Sequence, residues 1–235
     1  PMYPLSKLLW MKVNAPETFG KAYKFITIKE YIIFRLFNRF VVDYTLAASQ
    51  GYYDIHRQQW ERDIIEGILE MTADRFSEVV ECTYVLKGMK AECARKMGVD
   101  AGIPVVIGSG DGIMANLGCG VTDDTSMSST IGTSGAIRIS SDKPLLDPEQ
   151  RTWCYSFTRD QWVSGGAINN GGIVLKWLRD QFRGQFEHDA AQYNESIYKV
   201  FDRFAEEIKP GSDGLIFLPY ITGERSPDWN AGVRG

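Results

Sequence analysis

The segment "VVIGSGDGIMANLG", residues 105–118, limits the fold more than any other stretch. A run of β-branched residues follows Pro104 and closes in glycines, which reads as a buried strand. The apolar spacing of "GIMANLGCG" then reads as a helix. Strand, glycine-rich turn and helix in that order form a usual setting for an α/β site, because ligands collect at the carboxyl ends of strands. Asp111 stands in the turn, between Gly110 and Gly112. A Gly-Asp-Gly sequence favours a tight reversal. An aspartate in the first turn of a helix, however, meets the positive end of the helix dipole and suits the part of a general base. Spacing alone leaves both readings open.

The flanks differ in texture. Upstream, "ETFGKAYKF", "TIKEYIIFRLF" and "QQWERDIIEGILEMT" carry apolar residues at helical intervals. Thr27 with Glu30 fits a capping box, and "KGMKAECARKMGV" reads as a helix ended by Gly98. Downstream, "SMSSTIGTSGAIRIS" reads as two strands joined by "GTSG", and "TWCYSFTRDQWVSGGA" as a second pair turning at "TRDQ". "NNGGIVLKWLRDQF" reads as a helix capped by Asn169 or Asn170. "DAAQYNESIYKVFDRFAEEI" reads as one long amphipathic helix, and "GLIFLPY" as a buried strand. A helical first half followed by hairpins and helices predicts two mixed α/β domains meeting near residue 120.

Composition narrows the class of function. The net charge is −4 and the basic residues are scattered, so there is no footprint for nucleic acid. The four cysteines lack C-x-x-C spacing and the two histidines are far apart, which argues against a zinc site and for reduced thiols in a cytoplasmic protein. No apolar run approaches the ~20 residues of a membrane helix, and no secretory signal opens the chain. The start at Pro1 and the stop at "NAGVRG" are abrupt, so the chain reads as a fragment of a longer protein.

Two glycine-rich loops bear on the chemistry. In "STIGTSGA", residues 129–136, the N–H groups of Gly132, Thr133 and Ser134 can crowd around an anion, and two hydroxyls add donors. No Gly-Lys-Ser/Thr closes it, so it is not a Walker loop; a Ser/Thr-rich hairpin turn is the alternative. "GGAINNGG", residues 165–172, offers a glycine-rich helix entry with free N–H groups and a positive dipole end. Alone it could be packing glycine and a cap. Two such loops in one half-chain favour a phosphate clamp more than either does singly, and with a candidate base upstream they point to phosphoryl transfer. Dinucleotide binding fails on spacing, since Ile113 stands where the third glycine belongs and a hairpin follows instead of a βαβ unit. Serine hydrolysis lacks its G-x-S-x-G. In "YITGERSPDWN", Arg225 could reach a ligand, but fixing the loop together with Glu224 is the favoured role.

Taken in order, these segments resemble the FGGY family of carbohydrate kinases, above all its members acting on gluconate. The resembling stretches are "PLSKLLWMK", "DYTLAASQGYYDIHRQQW", "GSGDG", "IGTSGAIR", "INNGGIVLKWLRD" and "GLIFLPYITGERSPDWN". The resemblance implies an α/β, actin-like ATPase (ribonuclease H-like) fold, with parts of two domains flanking a nucleotide and sugar cleft. Residues 1–120 would be the C-terminal portion of the sugar-binding N-terminal domain. Residues 121–235 would be the N-terminal portion of the nucleotide-binding C-terminal domain. Asp111 would take the proton from a primary hydroxyl, at C6 if the substrate is gluconate. Gly132, Thr133 and Ser134 would hold the β- and γ-phosphates of Mg-ATP, with Gly172 assisting. Gly112, where many members carry Gln, would leave the sugar pocket open. Asp43, Lys7 and Trp10 would be structural.

The family's N-terminal phosphate loop and C-terminal adenosine motif do not occur in this sequence. The magnesium-orienting aspartate belongs to that loop, so no metal ligand is named and the fragment alone is expected to be inactive. The expected partners are a small-molecule sugar acid and ATP, without nucleic acid or membrane; a homodimer is the working assembly. The alternatives are an FGGY kinase for xylulose or glycerol, and a non-catalytic actin-like sugar- or nucleotide-binding protein.

Overall fold

Polar caps and prolines cut the first half of the chain into short helices. The computed structural model describes residues 3–235. Helices α1 (Pro4–Asn14) and α2 (Pro16–Lys21) each begin on a proline, where no N–H is needed. Helix α3 (Ile28–Phe37) opens on the expected capping box: Thr27 accepts from the Glu30 N–H, and the Glu30 carboxylate accepts from the Thr27 N–H at 2.7 Å. Strand β1 (Val41–Asp43) runs directly into α4 (Tyr44–Ala48). A small antiparallel pair, β2 (Tyr53–Asp54) and β3 (Gln59–Trp60), follows. Strand β4 (Glu78–Val80) then returns parallel to β1, with Val42 opposite Val79.

After β5 (Val85–Leu86), helix α5 (Ala91–Met97) ends at Gly98 with φ +70°, as its glycine stop predicts. Strand β6 (Val105–Val106) pairs antiparallel with β5 and delivers the chain to α6 (Asp111–Gly118). The second half holds β7 (Ser128–Ile131), β8 (Gly135–Ser141), β9 (Trp153–Ser156) and β10 (Trp162–Ile168), in the sheet order β7-β8-β10-β9. Helices α7 (Ile173–Gln181), α8 (Arg183–Tyr193) and α9 (Ile197–Glu206) close the regular structure.

Several sequence expectations are corrected here. Strand β6 is two residues long and Val106 is exposed, because it is held by the short β5 alone rather than sandwiched within a sheet. "QQWERDIIEGILEMT" forms a π-helical turn, Asp63–Ile68, rather than a regular helix, and it keeps Ile65 and Leu69 fully buried. The long helix predicted over 189–208 is broken at Asn194, which adopts φ +52°, and Ser196 caps a new start. Asparagine tolerates the left-handed region and serine supplies a cap acceptor, so local polar chemistry outweighs the continuous apolar period. Leu215–Leu218 of "GLIFLPY" are exposed and form no strand, since no strand of the described residues pairs with them.

The chain divides into two compact units. One contains the chain up to Ser128 together with Ile139–Leu146 and Trp153–Ser164; the other contains Ser129–Arg138, Asp147–Thr152 and Gly165–Gly235. In the first unit, Ile33, Phe37, Val41, Val80 and Leu86 make one apolar cluster, and Leu8, Phe19, Tyr52, Ile65 and Leu69 make another. A third, of Cys82, Ile113, Phe157 and Val163, seats α6. In the second unit, α8 and α9 pack through Phe186 and Phe201, edge to face at 4.7 Å, with Val200 buried. No helix among the described residues is long and apolar enough to cross a membrane.

The far end of α6 is tied by Asn116, which is 1% exposed. Its Nδ2 donates to the Ser140 hydroxyl at 2.9 Å and to the Val121 carbonyl at 3.2 Å, and its Oδ1 accepts from the Ser128 hydroxyl at 2.5 Å. Asn116→Ala leaves these buried groups without their partner and is expected to lower stability by about 2–4 kcal/mol, measured by urea unfolding.

Candidate active site

Asp111 owes its place to a second aspartate. Asp43 is fully buried and pairs with Lys29 Nζ at 2.7 Å. Its Oδ1 caps α4, accepting from the N–H groups of Thr45 and Leu46 at 3.1 and 3.2 Å. This fixes Thr45, whose hydroxyl meets the Ser109 hydroxyl at 2.5 Å and donates to the Ser156 carbonyl at 3.2 Å. Gly110 lies so close to Thr45 that a Cβ there would sit 3.4 Å from its methyl. On the other side, the Gly108 N–H donates to the Cys82 carbonyl at 3.0 Å. The turn 108–110 is thus held from both sides, and Ile113 and Asn116 seat the helix that follows.

Asp111 is the first residue of α6 and its side chain is exposed. Oδ1 accepts from the Gly112 N–H at 2.6 Å. Oδ2 has no hydrogen-bond partner among the described residues. A carboxylate in this state has an oxygen ready to receive a proton from a hydroxyl placed against it.

The second unit contains the two glycine-rich loops, and they form a single structure. The Gly171 N–H donates to the Thr133 carbonyl at 3.1 Å, the Gly172 N–H to the Gly132 carbonyl at 2.7 Å, and the Ile173 N–H to the Thr133 carbonyl at 3.2 Å. Glycine is required for this approach. A Cβ on Gly171 would lie 2.8 Å from the Ser134 carbonyl and 2.9 Å from the Gly132 oxygen, and one on Gly172 would lie 2.9 Å from that same oxygen.

The contact corrects one expectation. The N–H groups at this helix entry are not free for an anion, because the carbonyls of the 132–133 turn already take them. Gly132 also gives its own N–H to the Ser134 carbonyl at 2.8 Å. What stays available are the N–H groups and hydroxyls of Thr133 and Ser134, which are exposed and have no acceptor among the described residues. That leaves four donors on two adjacent residues without a partner among the described residues.

Asn169 and Asn170 do not cap α7; its N-cap is Gly172 and no side chain serves it. Asn170 is buried and reaches instead to residues 221–224. Its Oδ1 accepts from the Ile221 N–H at 2.9 Å and the Thr222 N–H at 3.2 Å, while its Nδ2 donates to the Gly223 carbonyl at 2.8 Å and to Glu224 Oε2 at 2.9 Å. Glu224 Oε1 accepts from the N–H groups of Asn169 and Arg225, at 2.5 and 2.8 Å. Arg225 donates to the Ile168 carbonyl at 2.7 Å. The favoured reading of Glu224 and Arg225 as loop-fixing residues agrees with this geometry. The Asn170–Glu224 link has no sequence signal, since the two residues stand 54 positions apart.

All four cysteines are free thiols. No three His, Cys, Asp or Glu side chains converge on a metal position among the described residues.

Two family patterns cover nearly the whole chain. The N-terminal domain of the FGGY family of carbohydrate kinases matches residues 1–118, and the C-terminal domain of the same family matches residues 127–235. The chain belongs to the FGGY family of carbohydrate kinases. Its fold class is the α/β, actin-like ATPase fold expected from the sequence. It is 43% identical over 235 residues to the gluconokinase of Bacillus subtilis (strain 168), covering 100% of this chain and 46% of that protein. Among solved structures, the gluconate kinase from Lactobacillus acidophilus superposes with a TM-score of 0.89 at 37% identity. The ligand-bound xylulose kinase from the same organism superposes with a TM-score of 0.90 at 36% identity. Both comparisons cover 100% of this chain and 46% of the other. The chain therefore spans less than half the length of these relatives.

Gly171→Ala forces a methyl group into the backbone of the 132–134 turn. It is expected to destabilise the protein by about 1–3 kcal/mol, read as a lower midpoint in urea unfolding.

Proposed function

We propose that the protein to which this chain belongs transfers the γ-phosphoryl group of ATP to a sugar acid, converting D-gluconate to 6-phosphogluconate. The observation that carries the reading is the exposed Asp111 carboxylate at the first turn of α6, with one oxygen free among the described residues. Asp111 acts as general base toward the primary hydroxyl at C6, and the resulting oxygen attacks the γ-phosphorus in line. Such a transfer asks the protein mainly for positioning and charge stabilisation. Thr133 and Ser134 supply free N–H and hydroxyl donors for the β- and γ-phosphates. Gly132 shapes the turn, and Gly172 assists by holding it rather than by a free N–H.

Magnesium accompanies ATP in this reading and would neutralise phosphate charge. The described residues show no cluster of ligands for it, so no step is assigned to the ion. Residues 1–120 then form part of the sugar-binding domain and residues 121–235 part of the nucleotide-binding domain, and the reaction takes place in the cytoplasm.

Gluconate is chosen because the Bacillus subtilis gluconokinase is 43% identical over the whole chain, and because Gly112 keeps the position after the base free of a side chain. Phosphorylation of xylulose is the second reading, supported by the 0.90 TM-score to the Lactobacillus acidophilus xylulose kinase. A non-catalytic sugar or nucleotide sensor is disfavoured by the free Asp111 carboxylate.

In the complete protein, Asp111→Asn is expected to lower gluconate-dependent ADP release by about 10²–10⁴-fold while leaving ATP affinity nearly unchanged. Normal turnover by that variant in a coupled assay would remove Asp111 from the mechanism. A panel of gluconate, xylulose, glycerol and ribulose is expected to give gluconate the highest kcat/KM; a higher value for xylulose would move the assignment to the second reading.

A further inference from the structure

We infer that Glu224, acting through Asn170, is a positioning residue that sets the phosphate-binding turn at Gly132–Ser134. The inference rests on the kinase reading above and goes beyond it, since that reading gives Glu224 no role.

Glu224 is 8% exposed and sits in an irregular loop, where a buried carboxylate needs a specific reason. Its two oxygens are engaged by donors from both ends of a short path: the Asn169 N–H and the Asn170 side chain on the helix entry, and the Arg225 N–H in its own loop. Burial pushes the Glu224 carboxyl up, but the hydrogen bonds from Asn170, Asn169 and Arg225 outweigh it and hold the group below the usual carboxylate range.

Asn170 is locked at both ends of its amide, with donors from Ile221 and Thr222 on its oxygen and acceptors from Gly223 and Glu224 on its nitrogen. The next two residues, Gly171 and Gly172, hold the carbonyls of Thr133 and Gly132. A second strap secures the same segment: the Ala167 N–H donates to the Ser226 hydroxyl at 3.1 Å, and the Ser226 N–H donates to the Ala167 carbonyl at 2.9 Å. The path from Glu224 to the free donors of Thr133 and Ser134 therefore runs through hydrogen bonds and covalent neighbours alone. The Asn170 amide has no freedom to flip and absorb a change at Glu224.

The test is Glu224→Gln in the complete protein. A glutamine can place its oxygen toward Asn169 and Arg225, but its NH2 then faces the NH2 of Asn170, donor against donor. The expected result is about a tenfold loss of ADP affinity by titration calorimetry, and a matching rise in KM for ATP, with KM for gluconate within about twofold of wild type. Asn170→Ala, which removes the link from its other end, is expected to lower ADP affinity by a similar factor, and E224Q/N170A by no more than either change alone. A role confined to stability would lower the melting temperature without separating the two KM values.

An E224Q protein that binds ADP as the wild type does would overturn the inference. So would losses of ADP affinity that simply add in E224Q/N170A, or an N170A protein that binds ADP as the wild type does, and this second variant decides the matter if E224Q alone fails to fold. ADP binding is read without any sugar. Absence of phosphoryl transfer by the wild type would therefore sink the kinase reading alone, whereas unchanged ADP binding by E224Q would sink this inference alone.

Discussion

Three hydrogen bonds from Gly171, Gly172 and Ile173 to the carbonyls of Gly132 and Thr133 bind the entry of α7 to the turn between β7 and β8. They form because two consecutive residues without Cβ let one backbone come within bonding distance of another. A helix entry ordinarily presents its own N–H groups to an anion. Here those groups are committed to a neighbouring turn, and the turn's own amides at Thr133 and Ser134 become the available donors. The hairpin between β7 and β8 and the helix α7 are thus two halves of one device.

The other unit sets two aspartates in opposite surroundings. Asp43 and Asp111 show two fates of the same side chain. Asp43 is buried, and it is tolerated there because Lys29 and the amide groups of Thr45 and Leu46 satisfy it. Held in that way it becomes an anchor, reaching the turn before α6 through Thr45 and Ser109. Asp111 stands at the end of that chain of contacts with one oxygen free. Burial with full satisfaction produces rigidity, and exposure with partial satisfaction leaves capacity for proton transfer.

Membership of a family does not by itself decide the acceptor. Relatives named for gluconate and for xylulose superpose on this chain almost equally well. The frame of helices and strands is common property, and selectivity lies in a few side chains set on it.

Local chemistry was legible in the sequence. The Thr27–Glu30 capping box, the glycine stop at Gly98, both hairpins of the second half and the placement of Asp111 at the start of a helix could all be read from neighbours within a few residues. The break at Asn194 was legible in principle, since "YNES" contains both a residue tolerant of positive φ and a cap acceptor, but the apolar period dominated the reading. The partnership of Asn170 with Glu224, the engagement of the Gly171 and Gly172 amides, and the Thr45–Ser109 contact could not be read, because each joins residues dozens of positions apart that no local rule connects. The sequence alone determined which residue types were present to act as base and anion donors, because those depend on covalent chemistry and short-range backbone preference. Only the tertiary structure decided which donors are left free, because a hydrogen bond made across the fold removes a group from use and its partner is chosen by packing.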